Sequence, residues 1–225
     1  MKLKNKVKPA IPPLEAGTYA GVCVGVYAVG EQENTYQGRT RYVEQIVITF
    51  EFPEVTVEID GEARPRQLSK TFTASTSEKS GLRKCLKTWR GRDFASGEEM
   101  ANFDLNQLLG RSALVQVIQK ENGNAGIESV IPLPRGMADP STQTPLQSFD
   151  VDEWDEGAFE ALPEWVQDRI RNSTQWREQH APDGPVAFPA GQEGAQTAGG
   201  SQDAEAGKTA QGASRGATEA REVPF

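Results

Sequence analysis

Two long stretches alternate their side chains with a period of two, and this limits the chain to folds built around extended hairpins. Gly17 to Val29 sets Thr18, Ala20, Val22, Val24, Val26 and Ala28 against Tyr19, Gly21, Cys23, Gly25 and Tyr27. Arg41 to Phe52 places Tyr42, Ile46, Ile48, Phe50 and Phe52 on one face. Period two marks a strand, and the small residues of the first run suit curvature or close backbone approach. Between the runs, Glu31 to Gly38 reads as a polar turn. Asp60-Gly61 is a hairpin signal joining Thr56–Ile59 to Gln67–Ala74.

The first helical pattern lies within Ser77 to Arg90, where Leu82, Cys85, Leu86 and Trp89 fall at i, i+3, i+4 and i+7. Ser75 to Glu78 fits a capping box ahead of it. A short helical turn, Asp104 to Leu109, ends at Gly110. Ser112–Gln119 and Gly126–Val130 form another hairpin around Asn122-Gly123-Asn124. Five strands with a helix between the third and fourth is the order of an OB-fold barrel, although alternation alone equally allows a small β-sandwich. The expected fold is therefore mainly β: a five-stranded OB-type barrel, an acidic helical segment and a disordered tail.

The chain divides by composition into a basic N-terminal arm (1–13), the β domain (14–135), a linker (136–149), an acidic aromatic helical segment (150–178) and a tail (179–225). The tail's Gly, Ala, Gln, Ser and Thr cannot bury enough surface to offset chain entropy. Its neighbour, 150–178, carries Trp154, Phe159, Leu162, Trp165, Val166 and Ile170 among acidic residues, with Pro163 in the first turn of a second short helix.

Several function classes drop out. No run of 18 apolar residues exists to span a membrane. Met1 to Lys8 alternates charge with apolar residues, unlike a signal peptide. Two cysteines, Cys23 and Cys85, fit a reducing cytosol and small buried hydrophobes. A single histidine, His180, leaves little room for metal sites or acid–base catalysis. Gly212 to Gly216 matches a nucleophile-elbow pattern but lies in the tail with no strand before it, a chance match. Glu44, Glu51 and Glu58 are spaced as exposed strand residues, not as a metal cluster. The chain is expected to be no enzyme, with no metal and no cofactor.

Net charge conceals a polarity. The whole chain carries −8, but residues 1–135 hold 18 Lys/Arg against 16 Asp/Glu, and residues 136–225 hold 6 against 16. Residues 64–92 alone hold nine bases and one acid, Glu78. A basic patch with interleaved aromatics is what an OB barrel uses on single strands: cations neutralise phosphates and bases stack on rings, at roughly 1–3 kcal/mol per base. The candidates for DNA binding are Tyr27, Tyr36, Arg39, Arg41, Lys70, Phe72, Lys79, Arg83, Lys84, Lys87 and Arg90. Core packing competes for the aromatics, and it claims Trp89, Phe50, Phe52, Tyr42 and Phe72 before Tyr27 and Tyr36. The acidic 150–164 strip has two readings: it occupies the basic groove until DNA displaces it, or its aromatics pack a helix on the barrel.

The sequence ends Glu219-Ala220-Arg221-Glu222-Val223-Pro224-Phe225. A flexible polar linker leading to an acidic Pro-Phe tip resembles bacterial single-stranded-DNA-binding proteins. The resemblance implies that Glu222, Val223, Pro224 and Phe225 dock on replication and recombination proteins, although Arg221 interrupts the acidic run. The body, over residues 11–178, also resembles OB-type single-stranded-DNA-binding proteins of bacteriophage replication modules. The stretches that carry this are Leu14 to Tyr27, Gly81 to Gly91, Leu109-Gly110 and Leu162 to Ile170. That resemblance implies protection of single-stranded DNA in phage replication and recombination in the host cytoplasm, and leaves self-association into a homo-oligomer open. The competing expectation is a structural or partner-binding β-domain, such as a virion component or host-factor inhibitor, without nucleic-acid affinity.

Overall fold

The computed structural model describes residues 11–36, 38–59 and 61–180. Its elements run β1 (Gly17–Tyr36), β2 (Arg39–Ile59), β3 (Glu62–Thr73), α1 (Gly81–Arg90), α2 (Gly97–Ala101), a 3-10 turn (Leu105–Leu108), β4 (Ser112–Gln119), β5 (Ala125–Ile131), β6 (Gln147–Asp150), α3 (Glu156–Glu160), α4 (Glu164–Arg171) and α5 (Thr174–Gln179). The protein is mainly β. Five strands pair antiparallel in the order β3-β2-β1-β4-β5, and β6 adds parallel to β1. The sheet is not closed by a ladder: β3 and β5 are its two ends. Lys70 Nζ donates to the Glu128 carbonyl across that gap at 2.9 Å.

β1 organises everything else. β4 pairs with its first part, Gly17 to Val22, and then departs. That leaves the same edge of β1 with unpaired backbone groups, which cannot stay buried without partners. β6 supplies them, pairing Gly25–Ala28 with Gln147–Asp150. Gln147 to Phe149 fall in the expected linker 136–149; an edge in need of hydrogen bonds makes them part of a sixth strand. Glu31 to Tyr36, expected as a turn, extends β1 instead. Cross-strand pairing to β2, from Glu31↔Glu44 to Tyr36↔Arg39, holds this part without an apolar face.

A bulge between Cys23 and Gly25 makes β1 serve two cores. One extra residue flips the side-chain parity. Cys23 and Val26 both face the main core, with Ile46, Ile48, Phe50, Phe52, Val115 and the α1 stripe Leu82, Cys85, Leu86 and Trp89. Tyr27 and Val29 turn to the opposite face and join Val47 in a second core with Phe149, Phe159, Leu162, Val166 and Ile170. Gly25 is required there, since a Cβ would stand 2.4 Å from the Tyr27 hydroxyl. Gly30, at φ +75°, likewise admits α5: a Cβ would lie 2.6 Å from Gln175 Oε1, which accepts the Glu31 N–H.

Trp89 is the keystone of the main core, fully buried 5.2 Å from Phe50 with Nε1 donating to the Ser112 carbonyl. The N-cap of α1 is Ser80, whose hydroxyl accepts from the Arg83 N–H. Ser75 instead closes a local turn on Ser77, and Gly81 falls at the first helical position, where its weak propensity costs least. Both cysteines are buried, and burial pushes Cys23 up to about 12 and Cys85 up to about 11. They are inert packing residues.

Glu51 departs from the exposed position expected of it. It is buried on the outer side of β2, where residues 142–144 cross over it. Its Oε1 accepts from the Thr142 hydroxyl and the Gln143 N–H, each at 2.9 Å. Gln67 donates to Thr144 beside it.

Candidate nucleic-acid interface

Beyond the irregularity at Ala28/Glu31, β1 and β2 leave the sheet as a two-stranded arm. Its base is fixed on both sides. Gln32 donates to the carbonyls of Val29 and Arg169, and the Ala74 N–H donates to the Glu44 carbonyl. Past that base the pairs are Glu33↔Tyr42, Asn34↔Arg41, Thr35↔Thr40 and Tyr36↔Arg39, and the Thr35 and Thr40 hydroxyls meet at 3.1 Å. Arg39 and Arg41 are exposed on one face of the ribbon. Tyr42, on the other, is 43% exposed. Tyr36 closes the ladder opposite Arg39.

The Ala74–Glu44 bond also places the loop that leads to α1 at the root of this arm. Lys79 is therefore at the same end of the sheet, and it is exposed, as are Lys84 and Arg92.

The other cations of the basic segment are engaged in holding the fold. Arg83 is buried; its Nε meets Asp93 Oδ1 at 3.0 Å and its Nη2 donates to the Phe94 carbonyl at 2.8 Å. Lys87 Nζ takes the second Asp93 oxygen at 3.0 Å. The Lys87 hydrogen bond first, and the Arg83 one next, hold the Asp93 carboxyl at about 2. Arg90 lies over the rings of Phe94 and Phe103, 4.2 and 5.0 Å from their centres. Its Nη1 is buried without a partner, and burial lowers its basicity. Together these three side chains clamp the 91–103 segment onto α1. On β3, Arg64 pairs with Glu62 and Arg66 donates to the Pro12 carbonyl.

Three expected contact residues are thereby closed to a ligand. Tyr27 is only 3% exposed, beneath the edge of Trp165, because the bulge turned it into the second core. Burial raises its hydroxyl to about 12. Phe72 belongs to the main core, with Lys70 over its ring at 5.6 Å. Arg83 belongs to the α1 clamp. Tyr42, assigned to the core by its parity with Ile46, is instead outside it; the signal was its polar surroundings, Arg39, Arg41 and Glu44 along β2 and Glu33 opposite it on β1.

The acidic segment does not lie over the basic helix. Phe159, Leu162, Val166 and Ile170 pack on the Tyr27–Val47 face, and no ion pair among the described residues joins 150–164 to 64–92. Phe159 and Trp154 pack in this second core, while Trp165 of the same segment remains 44% exposed. The tip residues Glu222, Val223, Pro224 and Phe225, and the arm up to Ala10, lie outside the described residues. Among the described residues no cluster of three His, Cys, Asp or Glu side chains could hold a metal ion, and no helix is long and apolar enough to cross a membrane. Compared with protein-family models, curated proteins and solved structures, the chain matches none.

Proposed function

We propose that this chain binds and protects single-stranded DNA through the β1–β2 arm, without catalysing a reaction. The observation that carries this reading is the exposure of Arg39, Arg41 and Tyr42 on a ribbon that projects beyond both cores. Two guanidinium groups on one face suit phosphate oxygens, and Tyr42 offers the other face to a base. Lys79 and Lys84 extend the cationic surface from the root of the arm. The strand order, with α1 between β3 and β4, supports a partly open OB-type barrel whose gap Lys70 spans. In this reading the protein acts in phage replication and recombination in a host cytoplasm, and Glu222 to Phe225 recruit the replication or recombination proteins that follow.

The test is fluorescence anisotropy with a labelled oligo-dT of about 30 bases, several arm-lengths of strand, against a duplex of equal length. Tight single-strand binding that weakens with salt and falls on replacing Arg39 and Arg41 is the expected result. No single-strand binding at low salt defeats it. The competing reading is a partner-binding β-domain. The observation favouring it is Trp165, 44% exposed in the acidic helical segment; Trp165→Ala would then abolish partner binding while oligo-dT binding stays absent.

A further inference from the structure

A cleft of about 490 Å³ opens between β1–β2, the 3-10 turn and the β6–α3 connection. It is in the size range of a ligand or peptide side-chain site. Its floor is apolar, from Val26, Ile46, Phe103, Leu105 and Phe149. Asp104, Asp150, Glu153 and Asp155 border it, and no lysine or arginine lines it. The three aspartates each use Oδ1 on a backbone N–H, of Asn106, Asp152 and Ala158. These bonds fix the carboxylates in place around the opening. An apolar floor inside a ring of four carboxylates repels a phosphodiester chain, so this cleft is no continuation of the DNA surface.

It fits a segment that alternates lysine with aliphatic side chains, and this chain contains one. Residues 1–8 run Met-Lys-Leu-Lys-Asn-Lys-Val-Lys, with four positive charges and no acid before Glu15. We propose that this basic arm docks on the acidic cleft of its own chain, with Leu3 over the floor and lysines on the carboxylates. The reach is sufficient. Pro12 is tied to Arg66, which pairs with Phe52. Phe52 lies six residues along β2 from Ile46, about 20 Å at strand rise. Ten extended residues span up to about 33 Å.

The test is zero-length carbodiimide coupling of the full chain at low salt, which joins a lysine amine directly to a touching carboxylate, followed by peptide mapping. Links from Lys2, Lys4, Lys6 and Lys8 are expected on Asp104, Asp150, Glu153 and Asp155. They should fall about tenfold near 1 M salt, where exposed charges are screened within about 3 Å. Asp150→Asn with Glu153→Gln should remove most of them while leaving the fold intact, since Asn keeps the Oδ1 acceptor. Links scattered equally over Glu33, Glu54 and Glu78 overturn the proposal. Mixed isotope-labelled chains linking only between copies overturn it too, because the arm then serves a second molecule. No DNA is present in this experiment, so its failure leaves the DNA-binding reading untouched.

Discussion

Two regions that both carry arginine, the β1–β2 arm and helix α1, put their cations to opposite uses. On the arm, Arg39 and Arg41 are exposed on one face of a two-stranded ribbon. On α1, Arg83, Lys87 and Arg90 turn back to hold the 91–103 segment through Asp93, Phe94 and Phe103. The helix has the higher charge density, yet the arm has the more available charge. A cation serves a ligand only if the fold leaves it unclaimed, and the nearest claimant here is one carboxylate, Asp93, three residues past the helix. Charge density along a sequence thus overstates a binding surface wherever a helix must also anchor the loop that follows it.

The contrast breaks most visibly at Arg83. Arg83→Ala removes hydrogen bonds to Asp93 and to the Phe94 carbonyl, and charged bonds of this kind contribute about 1.5–3 kcal/mol each. Urea unfolding should show a loss of about 3 kcal/mol, while oligo-dT affinity of the folded fraction stays unchanged. A binding defect without a stability loss would put Arg83 on the ligand surface instead. Tyr42→Ala should do the reverse. It should weaken single-strand binding by about 1–3 kcal/mol, the worth of one stacked base, and shift the urea midpoint by little, as exposed positions do.

Smaller still is the paired change Arg39→Ala and Arg41→Ala. Each phosphate contact to a single strand contributes about 0.7 to the slope of log affinity against log salt, so losing two should flatten it by about 1.4. The same test on Lys84→Ala sharpens the comparison: a slope change there would show that α1 shares the ligand despite its clamp.

Much of the fold was legible in the sequence because its cause is local. Alternation located β1, β2, β4 and β5, and a spacing of three and four located the α1 stripe. What stayed hidden depends on partners distant in sequence. Nothing near Cys23 announces a bulge, since Val24 is as good a strand residue as its neighbours, yet that one residue moved Tyr27 from an exposed platform to a core. Nothing near Gln147 announces a strand, because the vacancy it fills arises where β4 leaves β1. Glu51 looked exposed by spacing; its cover comes from residues about ninety positions later. The candidate site shows the same division. The arm's arginines were readable from composition, whereas the engagement of Arg83 required knowing where Asp93 would fold.

The mildest test of the comparison is acid. Asp93 has its carboxyl lowered from an ordinary 3.8 to about 2, first by Lys87 and then by Arg83. A carboxyl lowered by folding adds stability that is fully present above its unfolded value and is lost as pH falls toward the folded one. The clamp should therefore loosen between about pH 4 and pH 2. Hydrogen exchange should rise over residues 91–103 in that window, before β1 or β4 is exposed. Asp93→Asn should remove this local pH dependence and leave a constant, weaker clamp. The arm offers a control within the same molecule, since no ion pair among the described residues holds Arg39 or Arg41. If exchange in the arm rose together with that in 91–103, the two regions would be coupled through the Ala74–Glu44 bond at the root of the arm. The division between structural and ligand-facing cations would then be a matter of degree.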